Sequence, residues 1–223
     1  MTILEAVEKR HSVRSYKAEP LKEEDATQLK EWIKEINEES GLHIQLIENE
    51  PEAFTGLLAH YGGFKNVTSY IALVGKKTDD LDEKCGYYGE KLVLLAETIG
   101  LSTCWVGGTF KKGKAKYELN DGEKLSLVIS IGYAQDEGKA HRSKTIQEVS
   151  KVDGDMPAWF EAGVVCALKA PTAINQQKFF FTLIGEDGVK AETKSGPYTK
   201  VDLGIAKYHF EIGAGKENFD WKR

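Results

Sequence analysis

The stretch from Tyr87 to Gly100 constrains the fold most, because its pattern predicts a helix that is apolar nearly all round. Apolar side chains recur at helical spacing along it, and Val93 and Leu94 extend the apolar surface beyond a single stripe. A helix with so little polar surface belongs in the interior of a protein. The rest of the chain is therefore expected to supply the elements that cover it.

Other regular segments are predicted to be the helices and strands that surround this one. Amphipathic patterns predict helices, and alternating or short apolar runs predict strands. The polar stretch 49–66 is expected to be a loop with a short helix. This mixture places the chain in the α+β class. The predicted helices are 3–10, 22–36, 156–168 and 201–214, and the predicted strands are 43–48, 69–75, 125–131 and 179–184.

The polar segment 135–154 is the natural boundary within the chain. A length of 223 residues suits one generous domain or two small interlocked ones. We expect residues 1–150 and residues 151–223 to form two halves of one compact unit. A helix followed by a strand occurs in both halves, which is the basis of a hypothesis of internal duplication.

Composition argues against several classes of protein. No apolar run approaches the roughly 20 residues that cross a bilayer, and the first residues lack the pattern of a signal peptide. The net charge is −5 and no basic stripe is visible, which argues against nucleic acid as the main partner. A soluble, cytoplasmic protein with no membrane partner is expected.

The cysteines and histidines do not follow the spacing of a metal site. Cys85, Cys104 and Cys166 are widely and irregularly spaced, so we expect buried thiols instead of a disulfide framework or a zinc site. The five histidines show no metal-ligand spacing either. His209, in the last predicted helix, is expected to be a packed or surface residue.

An arginine pair follows the first predicted helix. Arg10 and Arg14 are four residues apart, which would place them on one face if the helix continued, and Ser12 lies between them. A guanidinium group can contact a phosphate in a bidentate way, so this segment is a candidate phosphate site. Alternatively, the two arginines only form part of a solvated surface.

Two consecutive glycines, Gly107 and Gly108, come directly after an apolar segment that ends at Val106. Glycine allows backbone N–H groups to face a ligand at close range. The glycines are therefore a second candidate for ligand contact. The alternative is an ordinary glycine turn with Trp105 filling the core.

A stiff, polar bend, Ala170–Gln177, separates a predicted helix from a predicted strand. Pro171 fixes its own φ and moves Ala170 away from the helical region. Thr172, Asn175 and the neighbouring glutamines supply groups that can donate and accept hydrogen bonds. Small residues between them would let a flat ligand approach the backbone. The alternative is an ordinary helix-to-strand connection.

Four separated pieces of the chain together resemble the FMN-dependent nitroreductase family. The arginine segment resembles that family's R-x-S-x-R-x-Y/F phosphate-binding start. The bend resembles its A-P-S-A-x-N-x-Q-P flavin loop, with Thr172 in place of serine and Lys178 where proline usually stands. The other pieces are the helix and glycine loop 86–108 and the strand end 131–133. The resemblance implies a nitroreductase-like fold with an antiparallel central sheet flanked by helices.

The order of these pieces differs from that of ordinary family members, in which the flavin loop precedes the first strand. In the ordinary homodimers each flavin lies at the interface, held by the arginines of one subunit and the loop of the other. Here both contributions stand in one chain, so the resemblance implies an internal pseudo-dimer with a single FMN site where its halves meet. The expected state is a monomer, with a homodimer still open.

The resemblance also implies which residues hold the cofactor. The arginine segment would bind the FMN phosphate, and the bend would line one side of the isoalloxazine ring and the ribityl chain. Residues 106–108 would present N–H groups to the other edge of the ring, whereas Arg142 or Lys144 match a later basic pair only loosely. The cofactor-binding residues implied in this way are Arg10, His11, Ser12, Arg14, Val106, Gly107, Gly108, Arg142, Lys144, Pro171, Thr172, Ala173 and Asn175.

FMN would carry the redox chemistry, and no protein nucleophile, metal or catalytic side chain would be needed. NADH or NADPH would reduce the flavin, which would then pass electrons to a small acceptor such as a nitroaromatic or a quinone. Two alternatives stay open. One is a flavin-binding carrier or sensor without turnover, and the other is an α+β module that binds a different phosphorylated ligand.

Overall fold

The computed structural model describes residues 1–222, except for the side chain of Leu58. The chain groups into two compact units, each of which takes residues from distant parts of the sequence. The predicted halves, 1–150 and 151–223, stay a prediction. The first unit contains Met1, Lys9–Leu81 and Leu92–Ala140, and the second contains Thr2–Glu8, Asp82–Lys91 and the chain from His141 onwards.

Helices and strands are interspersed along the chain, which confirms the predicted α+β class. No helix among the described residues is long and apolar enough to span a membrane. The helices are α1 (Ile3–Lys9), α2 (Glu23–Ser40), α3 (Leu57–Tyr61), α4 (Leu81–Thr98), α5 (Ile146–Val149), α6 (Ala158–Ala167) and α7 (Thr199–Ala214). The strands are β1 (Gln45–Ile47), β2 (Ser69–Lys76), β3 (Ser102–Val106), β4 (Glu123–Gly132), β5 (Ser150–Lys151), β6 (Phe179–Ile184), β7 (Gly188–Thr193) and β8 (Asp220–Lys222).

The first unit contains a four-stranded sheet in the order β1-β2-β4-β3, with every pair antiparallel. The central strands β2 and β4 agree with the apolar runs in the sequence, and Ile71 of β2 pairs with Ile129 of β4. All residues of β2 except the last are buried. This sheet confirms the predicted antiparallel arrangement.

Strand β3 is not predicted by the sequence pattern, which suggests only a glycine loop in this region. Trp105 pairs with Ile129, and Ser102 pairs with Gly132 at the other end of β3. These pairs satisfy backbone groups of a segment whose Thr103 and Cys104 are buried. The strand forms because β4 lies beside it, and this partner is distant in the sequence.

The second unit contains a mixed sheet in the order β5-β6-β7-β8. Strands β6 and β7 form an antiparallel hairpin in which Phe181 pairs with Ala191. The outer strands β5 and β8 each pair in the parallel direction. Of these four strands the sequence pattern predicts only β6, because the others are short or carry charged side chains on an exposed face.

Aromatic rings fill the core of the second unit. The ring of Phe210 on α7 stacks on that of Phe181 on β6, with 4.6 Å between the ring centroids. The same ring makes an edge contact with Phe160 on α6, with 5.5 Å between the centroids. These contacts fix α7 against α6 and the sheet, so a side chain on α7 has a well-defined position.

Helix α4 confirms that the apolar stretch is buried, although it begins at Leu81 instead of Tyr87. Leu92, Val93, Leu94 and Ala96 have no exposed surface. The additional first turns contain the charged run Asp82–Lys84, which is why the apolar pattern starts later than the helix.

Candidate functional site

The arginine segment of the first unit is extended, so the helix does not continue through it and Arg10 and Arg14 do not share a helical face. Helix α1 ends at Lys9, and the chain then runs beside β3. The Val13 N–H donates to the Thr103 carbonyl oxygen at 3.0 Å. This pairing with a distant strand outweighs the local helical spacing of the two arginines.

Further hydrogen bonds hold both sides of this segment. The Lys65 N–H donates to the Arg14 carbonyl oxygen at 2.9 Å. Tyr16 is 1 % exposed, and its hydroxyl donates to the Val13 carbonyl oxygen at 2.8 Å and lies 2.8 Å from Ser130 Oγ. Burial raises the pKa of Tyr16, which keeps this hydroxyl protonated as a donor. Tyr16 thus fixes the position of the segment. The family motif includes this residue, but the sequence alone does not show that its side chain is buried and hydrogen-bonded.

Ser12 of this segment forms a bridge with Thr103, the residue before the buried Cys104. Burial raises the pKa of the Cys104 thiol, while the charges of Arg14 and Arg10 and a hydrogen bond with Ser12 partly oppose the rise. Three of the predicted phosphate-binding residues, Arg10, Ser12 and Arg14, thus belong to a segment that runs beside β3 in the first unit. Arg10 is 5 % exposed, whereas Arg14 is exposed and His11 and Ser12 are half-buried.

The predicted glycine pair directly follows β3, the strand that pairs with the arginine segment. Val106 is buried, Gly107 is half-buried and Gly108 is exposed. At about 3.3 Å per residue, Gly107 lies roughly 13 Å beyond Thr103 along the chain. The arginine segment therefore lies beside β3, and the glycines directly follow the end of the same strand.

In the second unit, the bend after α6 adopts an unusual backbone conformation. Ile174, Asn175 and Gln177 have φ values of 48°, 55° and 41°, in the left-handed region. Asparagine tolerates this region, but a β-branched residue such as isoleucine does so only under strain. Ile174 is 89 % exposed, so its own side chain has little packing that could hold it there.

Gln177 is the hub of the hydrogen bonds that fix this bend. Its side-chain N–H groups donate to the Arg142 carbonyl oxygen and to Asn175 Oδ1, both at 2.9 Å. Its side-chain oxygen accepts from the Lys144 N–H at 2.9 Å, and its N–H donates to Thr172 Oγ1 at 3.1 Å. Gln177 is 2 % exposed, so the segment at residues 142–144 and the bend form one bonded cluster.

The same cluster uses most polar groups of the predicted cofactor-binding residues in this unit. Asn175 Nδ2 donates to the Arg142 carbonyl oxygen at 2.9 Å. Lys144 Nζ donates to the Gln177 carbonyl oxygen at 2.6 Å, so the structure gives this ammonium group a role within the bend. The Arg142 side chain is exposed. Contacts of these residues with a flavin stay a prediction.

Pro171, Thr172 and Ala173 form the start of the bend. Pro171 is buried, and the two residues after it are half-buried. The Ala173 N–H donates to Asp202 Oδ1 of α7 at 2.9 Å. Asp202 is a residue that sequence reasoning missed, because no pattern relates a carboxylate in the last helix to a bend about thirty residues earlier.

The structure therefore brings the predicted residues together in two groups. The first unit assembles the arginine segment and the glycines that follow β3, and the second assembles the bend with residues 142–144. In the part of the chain that the structure describes, no group of three or more His, Cys, Asp or Glu side chains could hold a metal ion.

Comparison with family models gives one match over almost the whole chain. The model described as "Putative TM nitroreductase" matches residues 2–214. No curated protein matches the chain.

Solved structures show the same fold at low identity. A "putative nitroreductase" from Thermotoga maritima has a TM-score of 0.69 and 21 % identity, and the match covers 97 % of this chain and 85 % of that one. A "putative nitroreductase in complex with FMN" from Desulfovibrio desulfuricans has a TM-score of 0.53 and 14 % identity over 70 % of this chain and 98 % of that one. A "putative NADH dehydrogenase/NAD(P)H nitroreductase" from Parabacteroides distasonis has a TM-score of 0.50 and 20 % identity over 66 % and 95 %.

Proposed function

The chain belongs to the TM nitroreductase family, whose model matches residues 2–214, and from this premise we propose that it is an oxidoreductase that binds FMN. It takes hydride from NADH or NADPH and reduces a small acceptor such as a nitroaromatic or a quinone. The described complex of FMN with a protein of the same fold supports the choice of cofactor.

One observation carries the proposal. Arg10, Ser12 and Arg14 lie in one extended segment that the Val13–Thr103 hydrogen bond and the Ser12–Thr103 bridge hold beside β3 in the first unit. Two guanidinium groups and a hydroxyl in one fixed segment are donors that suit the phosphate of FMN. Arg14 is exposed and can reach a ligand, and His11 beside it adds a further donor. The residues present therefore fit the phosphate of the cofactor.

The remaining contacts would come from backbone and loop groups. Gly107 and Gly108 lack side chains that would keep a planar ring away from their N–H groups. Pro171, Thr172 and Ala173 offer a stiff, small surface, and the Thr172 hydroxyl hydrogen can donate while its oxygen accepts from Gln177. Within the first unit, Val106 and the two glycines would suit the edge of a flat ring. Within the second unit, the bend, including Asn175, would suit a flat surface and the hydroxyl groups of a ribityl chain.

When bound, FMN would supply the two-electron redox chemistry, and the protein would orient it and tune its electronics. The N–H groups of Gly107 and Gly108 are fixed dipoles that favour negative charge beside them. The arginine segment would hold the phosphate of the cofactor. No side chain of the chain needs to act as a nucleophile in this scheme.

The test is flavin binding followed by reduction. Purified protein is freed of flavin, titrated with FMN and then mixed with NADH or NADPH without oxygen. One FMN per chain, and bleaching of its absorbance by either donor, are expected. Bound FMN that stays oxidised would identify a carrier or sensor instead of an enzyme. Protein that does not bind FMN would refute the proposal, and two FMN per chain would refute the single site.

A further inference from the structure

We propose that Asp202 is a positioning residue that holds the bend at residues 172–177, in which Ile174 and Asn175 are left-handed, and so determines how tightly the bend binds FMN. The part about FMN rests on the proposed function. The part about the bend rests on the contacts of Asp202 alone and can be tested without flavin.

Asp202 bonds the bend on both sides of Ile174. Its Oδ1 accepts from the Ala173 N–H at 2.9 Å, and its Oδ2 accepts from Gln176 Nε2 at 2.7 Å. Gln176 Nε2 also donates to the Pro197 carbonyl oxygen at 2.8 Å. The carboxylate therefore clamps the residue before Ile174 and the second residue after it.

A clamp is needed because the bend is strained at Ile174. This residue has φ 48° and ψ 26°, a conformation that isoleucine rarely adopts. Its side chain is 89 % exposed and gains little from packing. Neighbouring groups must therefore impose the conformation. Backbone strain of this kind persists only where surrounding contacts hold the residue in place.

Helix α7 gives the clamp a rigid base. The Asp202 N–H donates to the Tyr198 carbonyl oxygen at 2.9 Å, which places the carboxylate in the first turns of a 16-residue helix. The positive end of the helix dipole favours a negative charge there. Asp202 is 3 % exposed, and a carboxylate is rarely buried so deeply unless hydrogen-bond partners compensate for its lost hydration.

The proposal predicts a specific rescue. Asp202→Ala removes both clamping bonds, so it should speed amide exchange in residues 172–177 and weaken FMN binding by about tenfold or more. Asparagine tolerates the left-handed region, so Ile174→Asn makes the conformation less dependent on a clamp. The effect of Asp202→Ala on FMN affinity should therefore be clearly smaller in the Ile174→Asn background than in the natural sequence.

The experiment measures the four proteins of this double-mutant cycle at about pH 8, with amide exchange in the flavin-free state and FMN affinity by fluorescence quenching. Phe210→Leu is the matched control, because it disturbs the core under α7 without touching the bend. It should lower stability, but Ile174→Asn should not change its effect on FMN affinity.

The outcomes separate the two proposals. Equal exchange in the bend with and without Asp202 would overturn the positioning role, whether or not FMN binds. Equal effects of Asp202→Ala in both Ile174 backgrounds would overturn it as well. If the natural sequence binds no FMN, the proposed function and the link to flavin both fail, while the exchange rates still decide whether Asp202 holds the bend.

Discussion

Gly86 on α4 and Gly204 on α7 contact each other's helices reciprocally. A Cβ atom on Gly86 would overlap the carbonyl oxygen of Val201, and one on Gly204 would overlap the carbonyl oxygen of Glu83. Each carbonyl belongs to the residue three positions before the opposite glycine. A contact in which both partners use the same local surface has the pattern of a two-fold axis. It supports the proposal of an internal repeat, which stays a prediction.

Gly204→Ala is expected to destabilise the protein strongly. Alanine favours a helix over glycine by about 1 kcal/mol, but here the added methyl group meets backbone that cannot rotate away. We expect a net loss of roughly 1–3 kcal/mol in the free energy of unfolding, measured by urea denaturation. Gly113→Ala is the control, since a Cβ there meets nothing within 4 Å. Equal stability of the two variants would contradict the close approach.

Arg14→Ala should weaken FMN binding without unfolding the protein, because the side chain is exposed. A hydrogen bond to a charged group contributes about 1.5–3 kcal/mol, so the dissociation constant should rise on the order of 10- to 100-fold. Flavin fluorescence gives the constant directly. Lys17→Ala removes another exposed cation from the same segment and should leave the dissociation constant for FMN nearly unchanged. Similar constants for both variants would show that Arg14 does not bind the phosphate.

Gln177→Leu should destabilise the second unit. The variant leaves the Lys144 N–H without its side-chain acceptor, while the Arg142 carbonyl oxygen loses one of its two donors and keeps Asn175 Nδ2. Each unmade bond of a buried group costs about 1–3 kcal/mol. Urea unfolding should show a loss of this size. Gln147→Leu, at an exposed position, should show little change, and equal losses would argue against the hub.

The stability of the protein should depend on the ionisation of Asp202. Burial raises the pKa of Asp202 to about 6, while the bonds from Ala173 and Gln176 oppose the rise. An unfolded aspartate has a pKa of about 3.9. Between these values the folded state binds more protons, so this group contributes stability at low pH that is lost as the pH rises through about 6.

The size of this effect follows from comparison with Asp202→Asn, which does not titrate. From about pH 4 to about pH 7 the natural sequence should lose on the order of 2 kcal/mol of unfolding free energy relative to the variant. Urea unfolding at several pH values measures the difference. A constant difference across this range would show that the carboxyl group titrates at its usual pKa.

Sequence patterns predict those helices and strands in which the apolar side chains repeat with the period of the element. The amphipathic stripe of α2 and the apolar surface of α4 are such cases, because burial of a helical face requires a helical repeat. Strands β3 and β7 lack a comparable signal. They form because a partner strand supplies hydrogen bonds, and no local pattern encodes the identity of that partner.

The candidate site shows the same division. The sequence shows which residue types the arginine segment and the bend contain. It does not show the backbone conformation of either segment. Arg10 and Arg14 have helical spacing, yet pairing with Thr103 extends the backbone between them. Gln177 and Asp202 act through hydrogen bonds to residues about thirty positions away, which only the folded chain brings within reach.

A buried contact between a histidine and a glutamate in the second unit gives the last prediction. His209 Nε2 lies 2.9 Å from Glu90 Oε1, and both side chains have no exposed surface. The Cys166 carbonyl oxygen can only accept, so His209 Nδ1 carries the proton of the bond between them at 3.2 Å. His209→Leu would remove this buried hydrogen-bond partner from the Glu90 carboxyl group, at a cost of about 1–3 kcal/mol.

Replacing both members of this pair should cost less than the sum of the single replacements. In His209→Leu/Glu90→Leu neither polar member of the contact stays buried without the other, and leucine fills part of the space, so urea unfolding should show a stability above that of His209→Leu alone. His43→Leu is the matched control, because His43 makes a similar 2.9 Å contact with Glu123 but its side chain is 30 % exposed. There water can replace the lost partner, and the loss should stay within about 1 kcal/mol. Losses of equal size at the two histidines would mean that burial does not determine the strength of the pair.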